Sequence, residues 1–300
     1  MKSGSMKEFQ YYQIAIQRTL DGFIPFYREL FLRLYYFRRF GRLLALRRPR
    51  TFNEKLQWMK LFGNAESYAH LVDKVSVKQH IRQVLGDDYT IKDHLVVTNP
   101  HDIDLNRLPN QFVVKPNHLS GRVLVCREKK ELDIGKLTEL VNYWLKLDHY
   151  YVWFETSYKG IVPRIMFEEL LTDGNQWIND YKFYCFNGRV EYIHVDQDRF
   201  SRHVRVMYSR DWERLPFSFN FPLSDAIIPR PERLPEMIEI AETLSQGFPF
   251  VRIDLYNADQ GIKFGEFTFF PEAGFGRFDP PEWDMTFGSL FNLALIKERT

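Results

Sequence analysis

Apolar positions recur every three to four residues in TFNEKLQWMKLF (51–62), at 56, 58, 59, 61 and 62. That spacing predicts a helix, with Thr51 or Asn53 as its N-cap and Glu54 in the first turn. The same period in YAHLVDKVSVKQHIRQVLG (68–86) predicts a second helix closing at Gly86. Residues 134–149 and 232–247 predict two more, the latter with Pro235 early and Gly247 at its end. Elsewhere the pattern changes to short apolar runs typical of strands, at 112–116, 122–127, 163–171, 180–188, 189–197, 203–209, 250–256 and 262–270. Between two of them, Phe186-Asn187-Gly188-Arg189 predicts a tight hairpin, and residues 257–261 predict another turn. Residues 89–109 predict a short strand and loop. Strands joined mostly by hairpins, with helices between groups, predict antiparallel sheets in α+β lobes. The strict strand–helix alternation of a doubly wound parallel sheet is absent.

Residues 24–50 differ from the rest. Helical spacing continues there, and eight arginines (28, 33, 38, 39, 42, 47, 48, 50) face few acids. Interior-facing aromatics at Tyr35, Tyr36 and Phe37 favour a helix docked on the body, its arginines solvated or ion-paired. The same composition suits an anionic membrane or partner, so a peripheral membrane or polysaccharide-assembly contact through 24–50 is the alternative.

Three hundred residues can bury a large core, which suits one enzyme of two or three packed subdomains. Aromatic residues make up 16% of the chain, led by 27 Phe, and predict a Phe-rich core rather than a surface for stacking bases. A net charge of +2 gives no support to nucleic-acid binding. Cys126 and Cys185 lie far apart in apolar runs and predict reduced, buried thiols. No apolar run approaches the roughly 18 residues needed to cross a membrane. No signal-peptide core opens the chain, and the expected location is the cytoplasm.

Chemistry concentrates in a few places. On a strand, residues two apart share a face, so Arg252 and Asp254 point together, as do Glu266 and Thr268. A hairpin brings such pairs within about 5 Å. Two carboxylates that close fit magnesium or manganese, hard cations that take oxygen ligands. A salt bridge from Arg252 to Asp254 or Glu266 explains the same residues. Lys115 stands in the apolar run FVVKP before a loop with His118, Ser120 and Gly121. A strand-borne ammonium followed by a Ser-Gly loop suggests a bound phosphate, although no GxxxxGK[ST] occurs. Glu168 and Glu169 end an apolar strand and could accept from a ribose hydroxyl. Lys182 shares a strand face with Asp180. Asp73-Lys74 in LVDKVSVKQ is uninformative alone.

Taken in order, these residues resemble the ATP-grasp superfamily. In detail TFNEKLQWMKLF, LVDKVSV, LPNQFVVKPNH, DYKFYCFNG, FPFVRIDLYN and FGEFTF are similar to its TupA-like branch, named for teichuronopeptide biosynthesis. The match runs from about Thr51 to Pro281. It implies an ATP-grasp fold of two α+β lobes with antiparallel sheets. Its divisions would be 1–50, a basic helical extension; 51–110, a helical subdomain; 111–170, the small lobe; and 171–300, the large lobe with the metal site. Lys74 and Lys115 would hold the α- and β-phosphates of ATP, with the loop from His118 to Gly121 over them. Glu168 and Glu169 would lie near ribose and adenine. Asp254 and Glu266 would bind Mg2+ or Mn2+, Thr268 standing where the superfamily usually has asparagine. Arg252 would steady the transferring phosphoryl group, and Lys182 is a second catalytic candidate. Two departures stand out: Leu119 and Arg122 replace glycines, and Glu272 and Ala273 stand where the family tends to small residues.

The implied reaction is ATP-dependent ligation of an amine or amino acid to a sugar-acid carboxylate in bacterial surface-polysaccharide synthesis. Arg199, Arg202, His203 and Arg205 are candidates for that small-molecule or polysaccharide-precursor substrate. Three rival readings are a sugar kinase with Asp196 or Asp198 as base, a glycosyltransferase reading Asp196-Gln197-Asp198 as DxD, and a non-catalytic scaffold.

Overall fold

A computed structural model of the protein describes residues 2–24, 26–173, 178–197, 204–222 and 224–296. The helices are α1 (Lys2–Phe23), α2 (Tyr27–Phe40), α3 (Phe52–Phe62), α4 (Ala69–Val72), α5 (Val77–Val84), α6 (Ile134–Leu145), α7 (Tyr150–Trp153), α8 (Leu234–Ser245) and α9 (Glu282–Leu290). The strands are β1 (Asp93–Val97), β2 (Phe112–Pro116), β3 (Leu124–Cys126), β4 (Ile165–Glu169), β5 (Asp180–Phe186), β6 (Arg189–Gln197), β7 (Val204–Ser209), β8 (Ser218–Phe219), β9 (Phe250–Ala258), β10 (Gly261–Thr268) and β11 (Phe278–Asp279). They fall into two units. The first holds Met1–Phe31, Glu66–Gln79 and Ile91–Leu170, and the second holds Leu32–Ala65, His80–Thr90 and Leu171–Thr300.

The first unit is an antiparallel sheet in the order β1-β4-β2-β3. Phe112 and Val114 of β2 and Phe167 of β4 turn one face toward Leu137, Val141 and Trp144 of α6, and Ile14 of α1 joins that core. Asp133 starts α6 by accepting from the Lys136 N–H at 3.0 Å. Pairing then decides the other face. Val113 lies opposite Glu168, Lys115 opposite Met166, and Asp93 opposite Glu168, so Lys115, Glu168 and Asp93 share it.

The second unit is an antiparallel sheet in the order β10-β9-β5-β6-β7. Its central strand, β5, is buried along its whole length. Asn187 and Gly188 both have positive φ, the geometry of the tight turn that their sequence predicts. α8 covers one face through buried Met237, Ala241 and Leu244. On the other, Phe52 of α3 is ringed by Phe186, Phe250, Phe278, Phe287 and Phe291 at 4.8–6.4 Å between ring centres. Most of the phenylalanines do form core, and Cys126 and Cys185 are free and buried. Among the described residues no helix is long and apolar enough to cross a membrane.

Several expectations are corrected. The helix expected over 68–86 breaks at Asp73, whose carboxylate accepts from the Val75 and Ser76 N–H groups and so opens a new start. The helix within 24–50 covers only Tyr27–Phe40, and Phe37 faces outward rather than in. Between the two candidate caps of α3 the structure chooses Thr51. Its hydroxyl accepts from the Glu54 N–H while Glu54 accepts from the Thr51 N–H at 3.1 Å. α1, α9 and the short β8–β11 pair were not anticipated from the sequence.

Phe52 is fully buried among five rings. Phe52→Ala should therefore destabilise the protein by about 3–5 kcal/mol, and Phe52→Leu by less, as read from urea unfolding midpoints.

Candidate functional site

In the first unit, Glu168 is buried and receives two ammonium groups. Lys78, in the first turn of α5, lies 2.6 Å from Glu168 Oε1, 2.7 Å from Asp93 Oδ1 and 2.7 Å from the Ile91 carbonyl. Lys115 pairs with the other oxygen of Glu168. Burial alone would raise the Glu168 carboxyl, but Lys115 and Lys78 outweigh it and hold it below the ordinary glutamate value. Burial lifts Asp93 above its ordinary value, against the pull of Lys78. Glu169, next along β4, pairs with Phe112 and points to the opposite face.

Around the loop that follows β2, Asp73 is the hub. Its carboxylate accepts from Ser76 Oγ at 2.8 Å, Asn117 Nδ2 at 2.9 Å and Arg164 Nη2 at 2.6 Å. Lys74 Nζ donates to the Leu119 carbonyl at 2.8 Å. His118 turns inward, one ring nitrogen on Asn117 Oδ1 and the other 3.1 Å from the Trp144 carbonyl. Burial pushes it down to about 4, so the ring is neutral. Leu119 packs into the core of this unit, and Arg122 is held by Gln10 of α1. The two residues that replace glycines are thus structural anchors for the loop. Ser120 and Gly121 remain exposed at its tip.

In the second unit, register collects charge on the face that also carries Phe52. Lys182 lies opposite Asp254 and His194, Asp254 opposite Glu266, Arg252 opposite Thr268, and Asp196 opposite Arg205. Arg252 grips Asp254 with two bonds of 2.7 Å. It also reaches Glu266 Oε1 at 3.2 Å and Thr268 Oγ1 at 3.0 Å. Lys182 bridges Asp180 and Asp254, the latter at 2.7 Å. Burial would strip its proton, but the two aspartates overcome that and raise its pKa. A bulge between Phe264 and Glu266 produces this register. It is centred on Gly265, where a Cβ would lie 3.0 Å from the Asp254 carbonyl and 3.1 Å from the Tyr256 ring.

A second network lies beside it. Arg205 donates to Asp196 Oδ1 at 2.9 Å and Oδ2 at 3.3 Å, to the Phe219 carbonyl at 3.0 Å and to Glu272 Oε1 at 3.1 Å. His194 Nε2 lies 2.8 Å from Asp196 Oδ1. Burial, reinforced by Arg205, pushes His194 down to about 3, so a neutral ring donates from Nε2 and Arg205 is the cationic partner of Asp196. Glu272 and Ala273 both adopt positive φ, a conformation that side chains disfavour. Their turn is clasped by α3: Lys60 Nζ donates to the Ala273 carbonyl at 2.7 Å and Gln57 Nε2 to the Gly274 carbonyl at 2.7 Å.

Of the four residues proposed for the acceptor substrate, Arg205 is held in this network. Arg199, Arg202 and His203 lie outside the described residues, as does Asp198. Sequence reasoning missed Lys78, Asp93 and Arg164. The only signal for Lys78 was its position one helical turn after Lys74. Among the described residues no group of three or more His, Cys, Asp or Glu could hold a metal. Asp254, Glu266 and the Thr268 hydroxyl are the kind of oxygen donors magnesium takes alongside substrate phosphates, but Arg252 holds both oxygens of Asp254 and Lys182 one of them, so a cation there would have to displace Arg252.

His118 and His194 are neutral when folded, with pKa values lowered from 6.5 to about 4 and about 3. The unfolded chain binds more protons than the folded one below pH 6.5, so stability should fall on acidification from there toward 4. Each histidine adds a slope of up to about 1.4 kcal/mol per pH unit. In urea unfolding at several pH values, His118→Asn with His194→Gln should flatten the decline; an unchanged slope would place its origin elsewhere.

No curated protein matches the sequence. The fold resembles the ATP-grasp ligase PsnB complexed with a minimal precursor, at 13% identity, 68% of this chain, 53% of that one and TM-score 0.38. D-alanine–D-alanine ligase from Bacillus anthracis complexed with ATP gives 16%, 69%, 57% and 0.41. Phosphoribosylamine–glycine ligase from Thermotoga maritima gives 15%, 69%, 50% and 0.42. The chain therefore spans between 50% and 57% of the length of these three structures. The family model described as TupA-like ATPgrasp matches residues 54–292. With that match over most of its length and two antiparallel α+β units beneath it, the chain belongs to the TupA-like ATP-grasp family.

Proposed function

We propose that the protein is an ATP-dependent ligase that joins an amine or amino acid to a carboxylate through an acyl phosphate. The observation that carries this reading is the register of β9 and β10, which sets Asp254, Glu266, Thr268 and Arg252 together on one sheet face. Phosphoryl transfer needs positioning and neutralisation of charge more than a covalent side chain, and this group has the chemistry for both. Lys74 and Lys115 bind the α- and β-phosphates of ATP, and the backbone N–H groups of Ser120 and Gly121 add donors. Glu168 acts by holding Lys115 in place beside Lys78, while Glu169, on the opposite face of β4, takes no part in the nucleotide site. Magnesium or manganese, held by Asp254 and Glu266 with Thr268, neutralises phosphate charge when bound. Arg252 steadies the transferring group, and Lys182 holds Asp254 in place.

In the first step a substrate carboxylate oxygen bonds to the γ-phosphorus as the bond to ADP breaks. In the second the amine nitrogen attacks the acyl carbon, inorganic phosphate leaves with its electron pair, and the amine gives up a proton. The resemblance supports a sugar acid of a bacterial surface polysaccharide as the carboxylate, in the cytoplasm. A kinase with Asp196 as base, or a DxD transferase, would have to draw that carboxylate away from its partners. Both its oxygens hold Arg205, and one also meets His194. A scaffold without catalysis would have no use for two buried charge clusters, since apolar residues of similar size are often at least as stabilising.

ATP should bind in calorimetry, and more tightly with magnesium. Lys115→Ala should weaken it roughly tenfold to a hundredfold, as loss of a charged hydrogen bond does, and Glu266→Gln should remove the magnesium dependence. Uronic acids supplied with amino acids should then release both ADP and phosphate. Absence of binding at millimolar ATP would sink the proposal, and release of ADP without phosphate would turn it into a kinase.

A further inference from the structure

Between positions 24 and 50 the only acid is Glu29, against eight arginines. Four of those arginines are engaged within the protein. Arg28 pairs with Asp21 at 3.4 Å, Arg33 donates to the Leu44 carbonyl at 3.1 Å, Arg39 to Asn220 at 3.0 Å and Arg42 to Asp284 at 2.9 Å. Arg38, Arg47, Arg48 and Arg50 are exposed, and their side chains meet no carboxylate among the described residues. α2 also carries a second apolar face. Its inward side buries Leu32 and Tyr36, and Tyr35 packs edge-on against Phe275 at 4.7 Å. Its outward side shows Leu30, Leu34 and Phe37, one helical stripe exposed to 53%, 61% and 53%, followed past the helix end by Leu43 at 80%. A helix apolar on both sides is normally covered on both.

We infer that this outward face docks on an anionic membrane surface, with Leu34, Phe37 and Leu43 entering the headgroup boundary and Arg38, Arg47, Arg48 and Arg50 on lipid phosphates. Apolar side chains flanked by unpaired arginines are the composition such a surface selects. No described helix can cross the bilayer, so the contact is one of docking. A second copy fits less well, because a two-fold interface would set the same unpaired arginines against each other with almost no acid to receive them. The inference is independent of the ligase reading.

The test is co-sedimentation of the full chain with vesicles of phosphatidylcholine alone or mixed with phosphatidylglycerol. Binding is expected only to the mixed vesicles, falling as salt rises. Arg47→Gln and Arg48→Gln should each weaken it about fivefold, and Leu34→Glu with Phe37→Glu should abolish it. All four sites are exposed, so circular dichroism melting should be unchanged. Failure to bind either vesicle, equal binding to both, or binding unaffected by these substitutions would overturn the inference. So would a dimer in sedimentation equilibrium that Phe37→Glu dissolves, since the face would then belong to a second copy.

Discussion

The charged face of the five-stranded sheet depends on one extra residue. A strand that slips by one position turns all its side chains over, and the bulge at Gly265 makes that switch once, in the middle of β10. Before it, Phe264 pairs with Leu255 on the face that α8 covers. After it, Glu266 and Thr268 pair with Asp254 and Arg252 on the opposite face, while Phe267 pairs with Ile253 and stays with the core. Unbroken alternation from Phe264 would carry Glu266 to the α8 side. The close approach of the Asp254 carbonyl explains why the residue there has no side chain.

Both units resolve buried charge the same way, by placing each group between partners of opposite sign. Glu168 sits between Lys78 and Lys115, Lys182 between Asp180 and Asp254, and Arg205 between Asp196 and Glu272. Removing one member of such a set leaves a buried charge uncompensated, at a cost of about 3–5 kcal/mol. Stability alone does not explain why the chain keeps these sets, because apolar substitutes often serve it as well. Their cations and carboxylates are also the groups that phosphate chemistry requires.

Much of this was legible where the cause is local. The Asn187-Gly188 turn, the start of α3 at Thr51 or Asn53 with Glu54 in its first turn, and the alternation that sets Lys115 apart from Phe112 and Val114 all follow from a few adjacent residues. Asp254 and Glu266 were read as neighbours, but the bulge that makes them so was not seen, since one glycine in a strand has several explanations. Lys78 looked like any helical lysine until β1 and β4 supplied Asp93 and Glu168. β8 and β11 hold two residues each and exist only through pairing with one another, across some sixty positions that leave no local pattern. The TFNEKLQWMK motif was legible as a helix but not as a clasp, because the carbonyls that Gln57 and Lys60 hold belong to a turn more than two hundred residues away.

That clasp has a consequence for how the chain is made. Asn53 of α3 bonds to Asp284 across 231 residues, and Phe52 finds Phe287 and Phe291 only at the far end of the sequence. A ribosome adding about 5–20 residues per second takes roughly ten to fifty seconds to cover that interval. Until then the apolar face of α3 lacks its final neighbours. The Glu66–Gln79 and Ile91–Leu170 parts of the first unit are complete well before then. α3 therefore waits for partners made at the far end of synthesis, and the second unit closes last.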